Sequence, residues 1–238
     1  AVRAFLARQS CTSFTAGCSV NLKSVTSTQK SHSHLLLCEC ISMEDAAGRV
    51  FCPRKRRADV SDVVMASDIA APHILSMDWL HQVAPLVLWM RAGQMELCSR
   101  VRALLLRPRF AMQPLSLDGG APVVTLHVGP AARARAVRCI VDTGSPLCVC
   151  LRRSAMRGAA ADAGRRGRVR QTSVSGESVV SEVFEASVTL AGRRMERVPV
   201  AALDDETDTV DGYVGCGLLR CFDIWITRTN IGFRDNCD

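Results

Sequence analysis

Asp142 is the residue whose type and setting could do chemistry. It ends the apolar run Cys139-Ile140-Val141 and is followed by Thr143, Gly144 and Ser145. A carboxyl delivered from buried strand to tight turn sits against apolar surface, where ionisation is costly unless the group is paired or used. A strand-end Asp can also simply cap its own backbone. The chemical alternative is acid–base work. Hydrolysis of an amide needs an activated water and an acid for the departing nitrogen, and two carboxyls sharing one proton supply both. Such a pair works best in mildly acidic conditions.

The elements that must position this group follow from patterning. Val123–Val128 alternates as a strand, Gly129-Pro130 turns it, and Ala136–Val141 is the partner that delivers Asp142. Leu147–Leu151 reads as a third apolar strand. The Arg- and Gly-rich stretch Arg152–Arg170 reads as a mobile surface loop rather than a nucleic-acid contact, because it lacks aromatic residues for stacking bases. A polar turn centred on Gly176 precedes Val180, Phe184, Ala186, Val188 and Leu190, which share one face of a long strand. Ala191-Gly192 turns the chain into a strand carrying Val198, Val200 and Ala202, where Pro199 signals an edge or a bulge. The acidic loop Asp204-Asp205-Glu206-Thr207-Asp208 lacks the ligand spacing of a calcium loop and reads as solvated. Asp211-Gly212 then leads into Tyr213-Val214-Gly215 and a short helix over Leu218–Phe222. Ile224-Trp225-Ile226 and Asn230-Ile231-Gly232-Phe233 close the sheet as two strands around a turn.

Asp142-Thr143-Gly144-Ser145 together with Val214-Gly215, Leu218, Leu219 and Phe222 resembles the retropepsin-like aspartic proteases. The likeness spans about Pro122 to Arg234, in the right order and spacing. It implies a mainly β fold, a closed acid-protease β-barrel half over residues ~116–238, after a partly helical or disordered region over 1–115 whose function is unassigned. The type case of two carboxyls with split proton affinities is the aspartic-protease dyad. With one Asp-Thr-Gly in the chain, the resemblance implies a symmetric homodimer in which each copy donates Asp142. One carboxyl activates water and the other polarises the scissile carbonyl of a polypeptide substrate. By the same resemblance Thr143 braces the two loops, Gly144 lets them approach, and Ser145 bonds the outer carboxylate oxygen. Val174, Ser175 and Gly176 form the tip of a flap over extended substrate. Val214, Gly215 and Leu218 support the site, and neither cofactor nor metal is called for.

The sequence departs from the pattern in two places. Pro146 and Leu147 stand where retroviral members carry acids, and Gly217 replaces the Asp or Asn that many members carry. The other reading is therefore a non-catalytic retropepsin-like dimerisation or binding module, retroelement-derived.

The remaining features bound the class. Hydrophobic residues make up 48% of the 238, ample for a core, but only 5% are aromatic, so the core rests on Val, Leu, Ala, Met and Cys. A net charge of +7 favours acidic partners only generally, and nucleic acid is not an expected partner because no binding motif accompanies it. Twelve Cys in a chain this long, irregularly spaced, do not describe a disulfide scaffold. Cys139, Cys148, Cys150, Cys216 and Cys221 lie in or beside apolar segments and read as buried thiols in a reducing compartment.

The first 38 residues hold Arg3, Arg8, Lys23 and Lys30 but no acid, the composition of a basic tail or an organellar transit segment. The initial Ala fits a fragment or a processed chain. His32, His34, Cys38, Cys40 and Cys52 do not have zinc-site spacing. Arg54-Lys55-Arg56-Arg57 reads as a solvated linker. Ile74–Met90 is too interrupted for a span of about 20 apolar residues, and reads as a packed helix broken at Pro85. Glu96–Arg107 reads as a second helix, and Pro114–Pro122 as a linker.

Overall fold

The structure is a computed structural model. It describes residues 85–118, 121–159, 164–172, 178–204 and 209–236, together with five strands nearer the amino terminus. Those five are β1 (Cys11–Lys23), β2 (Thr28–Cys38), β3 (Met43–Glu44), β4 (Val50–Phe51) and β5 (Asp62–Ser67). They form an antiparallel sheet in the order β1-β2-β5 and a separate β3-β4 pair. They belong to one compact unit, and the candidate site belongs to another that begins at Ala84. The side chains of the His/Cys group and the basic run near Arg54 lie outside the described residues.

The second unit opens with β6 (Leu86–Trp89) and β7 (Gln94–Leu97), a hairpin, then α1 (Arg100–Leu106) and β8 (Ala111–Pro114). Next come β9 (Ser116–Asp118), β10 (Ala121–Val128), β11 (Arg135–Asp142), β12 (Val149–Arg152), α2 (Arg153–Ala159) and β13 (Arg165–Thr172). The chain closes with β14 (Ser178–Leu190), β15 (Arg193–Leu203), β16 (Gly212–Gly215), α3 (Cys216–Leu219), β17 (Phe222–Ile226) and β18 (Asn230–Asp235). The mainly β class expected from the sequence is what the chain adopts.

Eight strands make one sheet in the order β13-β14-β15-β12-β16-β11-β10-β9. A further pairing of β14 with β10, His127 opposite Thr189 and Val128 opposite Val188, closes it on itself. Closure satisfies edge groups that an open sheet would leave exposed. The interior holds Val124, Leu126, Val137, Cys139, Leu151, Val188, Leu190 and Val200, all at 4% exposure or less. A second sheet runs β7-β6-β17-β18-β8. Its own cluster packs Val87, Leu106, Phe110 and Trp225, the last two rings edge to face with centroids 5.4 Å apart.

Several expectations require correction. Leu86–Trp89 is a strand against β17, not the end of a helix, because both faces of so short an apolar run can be buried in a sheet. The part of that expected helix before Pro85 lies outside the described residues. The second expected helix is shorter, since Glu96 lies in β7 and the Ser99 hydroxyl accepts the Arg102 N–H, fixing the start at Arg100. The expected linker Pro114–Pro122 is mostly strand, with Ser116–Asp118 pairing back on β10.

Arg152–Arg170 is not a loop throughout. Arg152 is buried at 5% exposure, with its Nε donating to the Val210 carbonyl at 2.9 Å. Ala155 and Met156 bury one face of α2, and β13 joins the sheet through β14. Pro199 is neither at an edge nor in a bulge, being paired in register with Glu185 just after one. β15 lies between β14 and β12, and its register slips opposite Ala186 and Val188, where Arg197 takes a φ of 55°. Along β14 only Val188 and Leu190 of the expected apolar face are fully buried, and Val180 is exposed where the strand runs out towards residue 178.

Candidate active site

β11 delivers Asp142. Its Val137 and Cys139 are buried and Arg138 is exposed, the alternation of a strand with one face in the core. Two strands then trap its end. β16 lies between β11, parallel to it, and β12, antiparallel, so that Val141 faces Val214 and Asp142 faces Gly215 in the ladder. Asp211 pins the entry of β16. Its Oδ2 accepts the Arg138 N–H at 2.8 Å and its own N–H donates to the Arg138 carbonyl at 2.7 Å.

The loop after Asp142 is held by backbone bonds. The Gly144 N–H donates to Asp142 Oδ1 at 2.9 Å and the Ser145 N–H to the Asp142 carbonyl at 3.2 Å. The Ser145 hydroxyl accepts the Leu147 N–H at 3.4 Å. The Cys216 N–H reaches the Ser145 carbonyl at 2.7 Å, and the Gly217 N–H reaches the Leu147 carbonyl at 3.0 Å. The loop therefore rests on the start of α3. Close approach explains the glycines there. A Cβ on Gly215 would stand 2.7 Å from the Ser145 carbonyl oxygen, and one on Gly217 would stand 2.8 Å from Cys148 Sγ. The second contact supplies a physical reason for glycine at position 217.

The structure brings Asp142, Thr143, Gly144 and Ser145 together with Val214, Gly215 and Leu218. Val214 and Leu218 are buried beneath the loop, Asp142 and Ser145 are half-buried, and Thr143 and Gly144 are exposed. The expected flap tip, Val174, Ser175 and Gly176, lies outside the described residues. The strands on either side of it, β13 and β14, are tied to each other. Gln171 Nε2 donates to the buried Ser181 hydroxyl at 2.9 Å, and the Cys150 thiol approaches Gln171 Oε1 at 3.9 Å.

A cavity of about 300 Å³ opens beside the loop. Leu147, Val149, Val169, Val183 and Pro199 give it apolar walls, and Arg166 and Arg168 also line it. Arg166 is paired with Glu185 at 2.9 Å. Arg168 is exposed and has no partner among the described residues.

Two thiols, Cys150 and Cys216, lie near enough to Asp142 to feel its charge. Burial pushes the Cys150 thiol up to about 12, with the Asp142 charge adding to the effect, and raises Cys216 by the same two causes. Cys139 is raised by burial. Cys139 and Cys150 are fully buried as expected, and Cys148, Cys216 and Cys221 are half-buried. Sequence reasoning missed the contact of Cys216 with the loop, where its Sγ lies 2.9 Å from the Thr143 carbonyl oxygen. No signal in the sequence marks it, because it depends on α3 closing against a loop 73 residues earlier. Among the described residues no group of three or more His, Cys, Asp or Glu could hold a metal ion. No helix among them is long and apolar enough to cross a membrane.

Residues 120–218 match the family model described as aspartyl protease. No curated protein matches the chain. Among solved structures, the chain is similar to the EIAV protease complexed with the inhibitor HBY-793. That similarity is at 15% identity over 42% of this chain and 86% of that one, with a TM-score of 0.34. It is also similar to a retropepsin-like aspartic protease from Rickettsia conorii, at 12% identity over 52% of this chain and 93% of that one, with a TM-score of 0.36.

Proposed function

We propose that the chain is an aspartic endopeptidase whose site is completed by a second copy of itself, a reading supported by the match of residues 120–218 to the aspartyl protease family model. Asp142 from each copy shares one proton with its counterpart. One carboxylate takes a proton from water, which attacks the scissile carbonyl. The other, protonated, donates to the carbonyl oxygen, and the departing amine collects its proton from the pair. The observation that carries this reading is the Asp142 loop itself. Its carboxylate accepts the Gly144 N–H at 2.9 Å while Thr143 and Gly144 remain exposed, available to an identical loop across a twofold axis.

Val174, Ser175 and Gly176 are proposed to cover an extended peptide, bonded through its backbone. Val214, Gly215 and Leu218 act as the support that fixes the loop. Residues 1–115 are proposed to contribute to this domain as well as to the amino-terminal unit, because β6 and β8 pair with β17 and β18.

The test is cleavage of a peptide library by the purified chain, with and without a statine-type transition-state mimic. Inhibition by the mimic, with loss of cleavage in Asp142→Ala, is the expected result. Full activity in Asp142→Asn removes the mechanism. Size-exclusion chromatography should find a dimer under the conditions of the assay.

A further inference from the structure

We propose that Cys216 is a positioning residue for the Asp142 carboxylate, acting through the peptide unit between Thr143 and Gly144. The proposal rests on Asp142 being the reacting group.

The two contacts that carry it lie on opposite edges of one amide plane. The Cys216 thiol donates to the Thr143 carbonyl oxygen, with Sγ and O 2.9 Å apart. The N–H of that same peptide unit belongs to Gly144 and donates to Asp142 Oδ1 at 2.9 Å. A peptide unit is planar and resists twisting, so holding its oxygen fixes the direction of its N–H. A bond accepted at the oxygen also polarises the N–H and strengthens what that N–H gives to the carboxylate. Without the thiol, the exposed Thr143–Gly144 unit could rotate about its flanking dihedrals, and Asp142 would lose a fixed donor.

The thiol is well placed to hold it. Cys216 opens α3 directly after Gly215, the ladder partner of Asp142. Its own N–H is bonded to the Ser145 carbonyl at 2.7 Å, and its carbonyl accepts from Arg220 Nε at 3.3 Å. Cys216 therefore grips the loop twice, through its backbone at Ser145 and through its side chain at Thr143. Burial and the nearby Asp142 charge keep the thiol protonated, hence a donor, at neutral and acid pH. Bonds of this size shift rates by roughly fivefold to tenfold.

The experiment uses the full chain and three variants, Cys216→Ala, Cys216→Ser and Cys216→Val. The Ser variant keeps a donor, and the Val variant keeps the volume without one. It stands in if Cys216→Ala does not fold. Two readouts are taken: the Gly144 amide proton by NMR, for its shift and exchange rate, and peptide cleavage resolved into kcat and KM.

In Cys216→Ala the Gly144 amide should move upfield and exchange about fivefold faster, with kcat reduced roughly fivefold to tenfold and KM within about twofold. Cys216→Ser should recover both. An unchanged Gly144 amide in Cys216→Ala and Cys216→Val overturns the proposal, as does a Ser variant as impaired as the Ala one. If the wild-type chain shows no cleavage that depends on Asp142, the protease reading fails. The Gly144 amide then still decides whether the thiol positions this loop.

Discussion

The Arg234 guanidinium lies 4.8 Å from the ring centroid of Trp89, joining the last strand of the chain to the first strand of the second unit. The same guanidinium lies 5.6 Å from the Phe110 ring and pairs with Asp223, whose residue is 3% exposed. The other Asp223 oxygen accepts Asn236 Nδ2 at 3.1 Å. One cation thus ties β6, β17, β18 and the segment after α1 together. It does so where a buried carboxylate would otherwise be costly.

Removing the carboxylate should leave Arg234 unpaired within an aromatic cage. Asp223→Ala is expected to lower stability by about 3 kcal/mol, read as a shift in the urea midpoint at unchanged slope. Asp223→Asn, which can still accept a hydrogen bond, should cost less. An Asp223→Ala protein as stable as wild type would show that the Arg234 cage is not a structural tie.

The thiols set the alkaline limit of the fold. Burial raises Cys150 to about 12 and raises Cys139 as well, from an ordinary value near 9.0. Above pH 9 the unfolded chain loses these protons first, so the folded state binds more protons than the unfolded one. Stability then falls as pH rises, and the loss continues towards the folded-state value. Urea midpoints are expected to hold from pH 6 to 8 and to drop between pH 9 and 11. Cys139→Ala combined with Cys150→Ala should flatten that slope even though it lowers the starting stability through lost packing. An equally steep slope in the double variant would place its origin elsewhere.

Arg168 should colour substrate choice. The cavity beside the loop has apolar walls, and of the two arginines lining it Arg166 is already paired with Glu185. Peptides that place an apolar side chain in this cavity and an acidic residue beside it should be cleaved about threefold faster, by kcat/KM, than those with a basic residue there, an effect that shrinks with added salt. Arg168→Glu is expected to reverse the order. Indifference of the variant to substrate charge would detach the cavity from substrate binding.

Legibility from sequence followed the range of the forces involved. An apolar run entering Asp142-Thr143-Gly144 marks a strand and its turn from neighbouring residues alone, and β11 and its loop lie where that pattern puts them. The continuous apolar run Ile224-Trp225-Ile226 and the hairpin at Ala191-Gly192 are equally local. Leu86–Trp89 was not legible as a strand, because its conformation is set by Ile224 to Ile226, more than 130 residues away in the chain. The arginines of α2 and β13 suggested a solvated loop because charge density obscured Ala155, Met156 and Val169, whose burial depends on the body of the sheet. Cys216 is the extreme case, an ordinary small residue whose role exists only once α3 meets the Asp142 loop.

The central claim is that two Asp142 carboxyls, one from each copy, split peptide bonds. Mixing wild-type chain with an excess of Asp142→Asn chain and measuring cleavage per wild-type copy tests it most directly. If each site needs an aspartate from both copies, wild-type activity should fall in proportion to the fraction of mixed dimers. Activity per wild-type copy that stays constant across all mixing ratios would contradict the account.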